Sequence, residues 1–374
     1  MQLCAIICEY NPLHHGHEWQ IQQAKQQFGS VICIMSGSFV QRGEPAILDK
    51  FTRARCALSA GADAVFTLPC LFSLQSAEGF ASGAVRMAAS LGATHLCFGS
   101  ELPETDLLSH LAHLCLHESE SMQQALSIAL SHGANYPTAF QTAVQQIFPF
   151  FPNEAFLPNA MLGIEYLKAI ERYELSLQPY ALPRQYPDSS SNCRAELFKG
   201  RTVDLPPYTQ EALQTHPFVD LKAIEPSLLY RLRSMDEQDF HLLPYISEGL
   251  ENRLYQAARK STSLEELLTH CQTKRYPLAR IKRLLCCALL NITQQHMQDA
   301  NHEGPSYAQL LALNSQSIPV RTALKNSKIP VCTSAAKLSK NNQFTIEQRA
   351  TDLYALYSGQ PCGLDYTVAV STRP

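Results

Sequence analysis

The sequence predicts an α/β protein, with a parallel sheet and crossover helices in its first part and a mainly helical C-terminal domain. Three observations carry this. Short apolar runs recur at 3–8, 31–35, 64–68 and 96–98, each ending in a turn or polar segment that leads toward a helical pattern, the alternation typical of a parallel sheet. The first two of these helical patterns end at Gly29 and Gly61, residues that readily adopt the positive φ of a helix stop. Beyond a stretch rich in proline and threonine at about 201–217, amphipathic helical patterns take over. The expected boundary therefore divides 1–205 from 206–374.

Taken in order, Leu3 to Cys8 reads as a buried strand, and a helix follows from about Gly16 to Phe28. Val31 to Met35 is a second strand, ending in Ser36-Gly37-Ser38. The loop after it carries Gln41-Arg42-Gly43-Glu44-Pro45, and Asp49 can cap a helix running to Ala60. Ala64 to Leu68 and Leu96 to Phe98 are further strands, the latter running into Gly99-Ser100-Glu101. From 105 to 147 the pattern is mostly helical, interrupted at 133–137. Pro158-Asn159 opens a helix to about Arg172, proline being permitted at an early helical position. Leu177 to Leu182 is a last strand, followed by Arg184 and the polar turn at 188–194, which can cap another helix. In a parallel sheet the ligand site lies at the carboxyl ends of the strands, an edge that here collects Glu9-Tyr10-Asn11, Ser36-Gly37 and Gly99-Ser100.

In the second part, the 247–260 pattern puts Leu250, Leu254 and Ala257 on one helical face. Ser263 and Glu266 have the spacing of a capping box. Pro277 begins a helix in which Ile281, Leu284, Leu285 and Ala288 face a core while Arg280 and Arg283 project together. Leu310 to Leu313 and Ile329 to Cys332 read as strands, and Ile346 to Leu356 as a helix.

With 374 residues, 45% of them hydrophobic and 17% charged, the chain can bury a sizeable core. No apolar stretch approaches the length of a membrane span and the start lacks a secretory signal pattern, so no membrane partner and a cytoplasmic location are expected. The 13 cysteines are odd in number, scattered and without a C-x-x-C pair. They read as small buried hydrophobes in a reducing compartment, with neither a disulfide framework nor structural zinc. A net charge of −3 gives no global case for nucleic acid, but eight Lys/Arg and only two acids fall between Arg253 and Arg283.

The chemistry concentrates at Glu9-Tyr10-Asn11-Pro12-Leu13-His14-His15-Gly16-His17, where an H-x-G-H spacing falls at a strand-to-helix turn. Backbone N–H groups and the positive end of the helix dipole favour an anion there. Gly16 allows close approach of the main chain, and His14 and His17 can donate to phosphate oxygens. A metal set on His14, His15 and His17 is not expected, because one local turn rarely supplies a full tetrahedral set. Arg42 and Arg53 can grip phosphates, Lys50 and Arg55 read as a solvated helix face, and Arg184, just past a strand, is a better nucleotide contact. Lys274-Arg275-Tyr276 suits an RNA backbone with a stacked base. The turn alone leaves open an adenylyltransferase that joins a nucleotide to a phosphorylated small molecule, or an RNA-binding protein that senses ATP.

The runs CEYNPLHHGH, MSGSFVQRGEPA, DKFTRARCAL, Leu68-Pro69, FGSE at 98–101, LPNAMLGIEYLKA from Leu157, SEGLENRL and TKRYPLARIKR, in that order, resemble the bacterial tRNA(Met) cytidine acetate ligase family. The resemblance covers most of residues 1–290. It implies a Rossmann-like nucleotidyltransferase domain at 1–205 that binds ATP with Mg²⁺, and a tRNA-binding, mainly helical domain at 206–374. It further implies acetate activation as acetyl-adenylate, then acetyl transfer to N4 of the wobble cytidine of elongator tRNA(Met). Carried over by position, His14 and His17 are catalytic. ATP contacts fall on Ile7, Cys8, Glu9, Tyr10, Asn11, Pro12, Leu13, His14, His15, Gly16, His17, Glu18, Trp19, Gln20, Gly99, Asn159 and Arg184. The tRNA contacts fall on Lys274, Arg275, Arg280 and Arg283. Where similar proteins carry a Ser-Ala-Thr-x-Ile-Arg-like motif after the last strand, this chain has a shorter turn with Ser190-Ser191-Asn192-Cys193-Arg194, so Arg194 is the candidate for that arginine's place.

Overall fold

The computed structural model describes residues 2–132, 136–186, 189–247, 249–273 and 276–373. Along the chain, β1 (Cys4–Cys8), α1 (His15–Phe28) and β2 (Val31–Ser36) lead to a small antiparallel hairpin, β3 (Phe39–Val40) and β4 (Glu44–Pro45). Then come α2 (Lys50–Ser59), β5 (Ala64–Leu68), α3 (Cys70–Ser73), α4 (Ala77–Ser90) and β6 (His95–Ser100). Helices α5 (Thr105–Leu116), α6 (Glu120–Ser131) and α7 (Tyr136–Ile147) precede α8 (Pro158–Arg172), β7 (Gln178–Pro183) and α9 (Ser190–Phe198). The second part contributes α10 (Pro207–Thr215), α11 (Leu221–Ser234), α12 (Glu237–His241), α13 (Leu250–Lys260), α14 (Leu264–Cys271), α15 (Leu278–Leu289) and α16 (Gln294–Glu303). The chain ends with β8 (Ala308–Asn314), α17 (Ile318–Lys325), β9 (Val331–Cys332), α18 (Asn342–Tyr357), α19 (Leu364–Thr367) and β10 (Ser371–Arg373).

The main sheet has the order β10-β8-β5-β2-β1-β6-β7, with β9 beside β8. Its pairs are parallel except β5 with β8. Chain order runs outward from β1 through β2 to β5, then crosses to β6 on the other side. The switch point is therefore the crevice between the carboxyl ends of β1 and β6, where open α/β sheets bind ligands. Alternation along the strands divides the core. Ala5, Ile32, Ile34, Phe66 and Leu96 pack towards α4 and α8, while Cys4, Ile6, Cys8, Cys33 and Cys97 pack towards α1 and α2. Most of the cysteines are buried, as small apolar side chains would be.

Helices α11, α13, α14 and α15 enclose a core of their own, including Leu228, Leu232, Leu254, Leu267, Ile281, Leu284 and Leu285. The expected boundary after 205 needs correction on both sides of this unit. Helix α10 packs on α2, and the Val219 N–H donates to the Ile47 carbonyl at 3.1 Å. After α16 the chain returns to the sheet, where β8 pairs antiparallel with β5. The helical unit is thus inserted between two parts of the sheet domain. At Ser263 the expected box is incomplete: its side chain accepts the Glu266 N–H, but the Glu266 carboxylate reaches Thr262, at 2.7 Å from its N–H.

Lys50 is a second correction. It is fully buried rather than solvated, with its Nζ 3.0 Å from Glu347 and 2.8 Å from Asp365, and it also donates to Gln309 at 3.2 Å. Burial would lower the Lys50 pKa, but the two carboxylates outweigh it and raise it. Glu347 also accepts the Cys70 N–H at 2.8 Å and fills the space a Cβ on Gly37 would need. The tail is thereby fastened to the loop after β2. Arg55 is half-buried, hydrogen-bonded to Thr52 at 2.7 Å and to His216 at 3.0 Å.

Candidate active site

The H-x-G-H turn folds into a capping box made of histidines. His14 is the N-cap of α1. Its Nδ1 accepts the Gly16 N–H at 3.1 Å, while the His14 N–H donates to His17 Nδ1 at 3.4 Å. This is the reciprocal arrangement usually built from Ser/Thr and Glu/Gln. Because each Nδ1 is an acceptor, the hydrogen-bond network assigns the neutral-ring proton to Nε2 on both rings. The rings stack with centroids 3.8 Å apart and planes 23° apart. A Cβ on Gly16 would lie 3.0 Å from His14 Cε1 and 3.3 Å from Tyr186 Cβ, so glycine fits where a side chain would crowd the pair. Part of the N–H array expected to face an anion is thus taken by the imidazoles, and donor character passes to Nε2.

Burial lowers the His17 pKa well below its ordinary value, helped by His14 and Arg184. His17 is therefore neutral at neutral pH. Below about pH 6.5 the unfolded chain takes up a proton that folded His17 resists, so this group makes stability fall as pH falls. Urea midpoints measured from pH 7 down to 5 are expected to drop more steeply for the wild type than for His17→Gln.

The turn before α1 is held from several sides. Buried Arg53 donates to the carbonyls of Leu48 at 2.9 Å, Glu9 at 2.6 Å and Ser36 at 3.0 Å, and also to that of Gly37. It is a brace for the ends of β1 and β2 rather than a phosphate grip. Asn11 accepts the Ile47 N–H at 2.7 Å. Arg194 donates to the Asn11 carbonyl at 2.6 Å and pairs with Glu44, so its guanidinium fixes the turn although it lines the cleft.

A cleft of about 580 Å³ opens over these residues, within the range of small-molecule sites. Of the expected ATP contacts, Ile7, Cys8, Glu9, Tyr10, His14, Gly16, His17, Trp19, Gln20, Gly99, Asn159 and Arg184 line it. Asn11, Pro12, Leu13, His15 and Glu18 do not. The first three are buried in the turn. His15 and Glu18 occupy a different face of α1 from His14 and His17: His15 lies 3.4 Å from Glu18 and 3.5 Å from Asp204, and Tyr208 donates to Glu18 at 3.0 Å. Phe80, Leu162, Tyr166 and Tyr186, which no local pattern in the sequence marks, also line the cleft. Only the three-dimensional packing of α4 and α8 brings the first three there.

Glu101 organises the opposite wall. It accepts from the Asn159 side chain at 2.6 Å and the Ala160 N–H at 2.8 Å, and lies 3.4 Å from Arg184. Partial burial would raise its pKa, but the bonds from Asn159, Ala160 and Arg184 prevail and hold the carboxyl below its ordinary range. On the β1 side, burial raises Glu9, against the Gln41 N–H that it accepts at 2.7 Å. Among the described residues a Cβ on Gly99 would meet only Arg184 Cγ, at 4.0 Å, so their packing leaves room for a side chain there.

The predicted tRNA contacts divide. Lys274 and Arg275 lie outside the described residues. Arg280 donates to the Tyr245 carbonyl at 2.6 Å and to Ser247 at 2.8 Å, and Arg283 to the Gln41 carbonyl at 3.3 Å. The two do not form an open basic pair: Arg280 braces the helical unit, and Arg283 joins it to the hairpin. Gly43, with φ 75°, has room for no Cβ, which would lie 2.2 Å from the Arg283 nitrogen. Through Gln41 the hairpin touches both Glu9 and α15.

The chain matches the family model described as HIGH Nucleotidyl Transferase over residues 1–365. It is 32% identical over 384 residues to the tRNA(Met) cytidine acetate ligase of Clostridium perfringens, covering 95% of each chain. With the enzyme of that name from Thermoanaerobacter sp. it shares 34% identity over 398 residues and 98% of each chain. The crystal structure of Thermotoga maritima TmcAL bound with alpha-thio ATP is similar to it with a TM-score of 0.92 at 27% identity, covering 100% of this chain and 99% of that one. A histidine-capped helix at the switch point and a likeness that runs the length of the chain agree: this chain belongs to the tRNA(Met) cytidine acetate ligase family of HIGH nucleotidyl transferases.

Proposed function

We propose that this protein activates acetate with ATP and passes the acetyl group to N4 of the wobble cytidine of elongator tRNA(Met). The observation that carries the reading is the His14–His17 capping box, set in the cleft at the switch point opposite Glu101, Asn159 and Arg184. The names of the full-length relatives, and the ATP analogue in the Thermotoga maritima structure, support it. Among the described residues no helix is long and apolar enough to cross a membrane, which fits an enzyme of the cytoplasm, where ATP and tRNA are available.

ATP lies along β1 and the start of α1, its phosphates at His14 and His17 and its nucleoside towards Gly99, Asn159 and Arg184. Acetate attacks the α-phosphorus in line, forming the mixed anhydride and releasing pyrophosphate. The protein supplies position and charge stabilisation through donors fixed before charge develops. Mg²⁺ bound with ATP would supply further charge neutralisation. The cytidine amine then attacks the acetyl carbonyl, AMP leaves, and the amine gives up a proton. Acetate-dependent exchange of pyrophosphate into ATP tests the first step. Exchange that needs a phosphorylated acceptor instead would identify a small-molecule adenylyltransferase.

Transfer RNA docks on the helical unit through Lys274 and Arg275 and through Arg253, Arg259 and Lys260, which are exposed on α13. Contacts with phosphates make binding fall steeply with salt. The double variant Lys274→Ala/Arg275→Ala is expected to weaken tRNA acetylation about tenfold or more while leaving pyrophosphate exchange unchanged. Equal loss in both assays would argue against a separate docking role.

A further inference from the structure

Away from the cleft, the end of α5 meets the last turn of α8, and three ligand-bearing side chains converge there. His113 and His117 share one face of the α5 end, with ring centroids 4.4 Å apart. Glu171 reaches them from α8: its Oε1 is 2.7 Å from His113 Nδ1 and 3.0 Å from His117 Nε2. One ligand atom from each of the three lies within 4.8 Å of the others. The rings are 59% and 61% exposed and the glutamate 36%, so small rotations there disturb no core packing.

We propose that His113, His117 and Glu171 form a binding site for a divalent transition-metal ion, best suited to Zn²⁺. Two imidazole nitrogens and one carboxylate oxygen match the preferences of Zn²⁺, Co²⁺ and Ni²⁺, whereas Mg²⁺ and Ca²⁺ favour oxygen-rich sets. An ion about 2.0–2.2 Å from each donor replaces two N–H···O hydrogen bonds with three coordination bonds. Each neutral ring then carries its proton on the other nitrogen, and water completes the tetrahedron. The site clamps α5 to α8. Glu171 stands about 18 Å along α8 from Asn159, so the clamp does not reach the nucleotide. Glu171 follows His117 by 54 residues, so no local spacing marks this set.

The test uses the full chain, freed of metal by dialysis against EDTA and titrated at pH 7.5 with Zn²⁺ by calorimetry and with Co²⁺ by absorption. The expected result is one ion per chain with a micromolar dissociation constant and a Co²⁺ spectrum without thiolate charge-transfer bands. Zn²⁺ at a hundredfold excess over that constant is expected to raise Tm by about 3–5 °C. His113→Gln/His117→Gln, which keeps polar exposed side chains and the fold, abolishes both the binding and the shift, and Glu171→Gln weakens binding about tenfold. No one-equivalent binding, binding that persists in the double variant, or thiolate bands overturns the assignment.

Discussion

Replacing His17 by alanine is expected to lower acetate-dependent pyrophosphate exchange by about 10²–10³-fold, the usual cost of losing one preorganised donor to a developing negative charge. His17 is neutral because burial opposes its charging, and its Nδ1 is engaged by the His14 N–H. Its contribution is therefore a directed Nε2–H, not a full positive charge. His17→Ala also removes half of the capping box, at a stability cost of about 1 kcal/mol, which leaves a folded protein. Circular dichroism and the exchange assay on the same preparation separate the two effects. A folded His17→Ala variant with wild-type exchange would remove the imidazole from the chemistry.

The largest effect on stability is expected at Lys50. Lys50→Met leaves Glu347 and Asp365 buried without their ammonium partner, and breaking such a pair typically costs about 3–5 kcal/mol. Urea unfolding measures the loss. The triple variant Lys50→Met/Glu347→Gln/Asp365→Asn is expected to recover much of it, because no unpaired charge then remains. If Lys50→Met alone unfolds at the wild-type midpoint, the buried cluster is not what fastens the tail to the sheet.

Whatever depends on neighbours in sequence was legible before the fold was known. The runs at 3–8, 31–35 and 64–68 are strands because each is a short apolar stretch closed by a turn, and α1 stops at Gly29 with φ 76°. From strand order alone His14 and Gly99 belong to one edge, and both line the cleft. What the sequence does not display depends on distant partners. Lys50 reads as solvated until Glu347, 297 residues on, covers it. The apolar run at 310–313 shows a strand but not that β5 is its antiparallel neighbour. Helical periodicity separates the apolar face of α15 from its polar face, but it does not show that the hairpin and Tyr245 already occupy Arg283 and Arg280. The histidines were legible as residues. Their role as each other's caps needed the geometry of the turn.

Through Gln41, the hairpin of β3 and β4 links Glu9 in the cleft to α15 of the helical unit. On the proposed reading, a tRNA docked on that unit would press on an element that helps to shape the cleft. Acetate activation and transfer to tRNA can be followed in a single assay. Purified protein is incubated with ATP, Mg²⁺, labelled acetate and bulk tRNA, the tRNA is digested to nucleosides, and the label is followed. The expected product is labelled N4-acetylcytidine that requires ATP and is lost with His17→Ala. Label that never enters cytidine, although acetyl-adenylate forms, would contradict the proposed transfer.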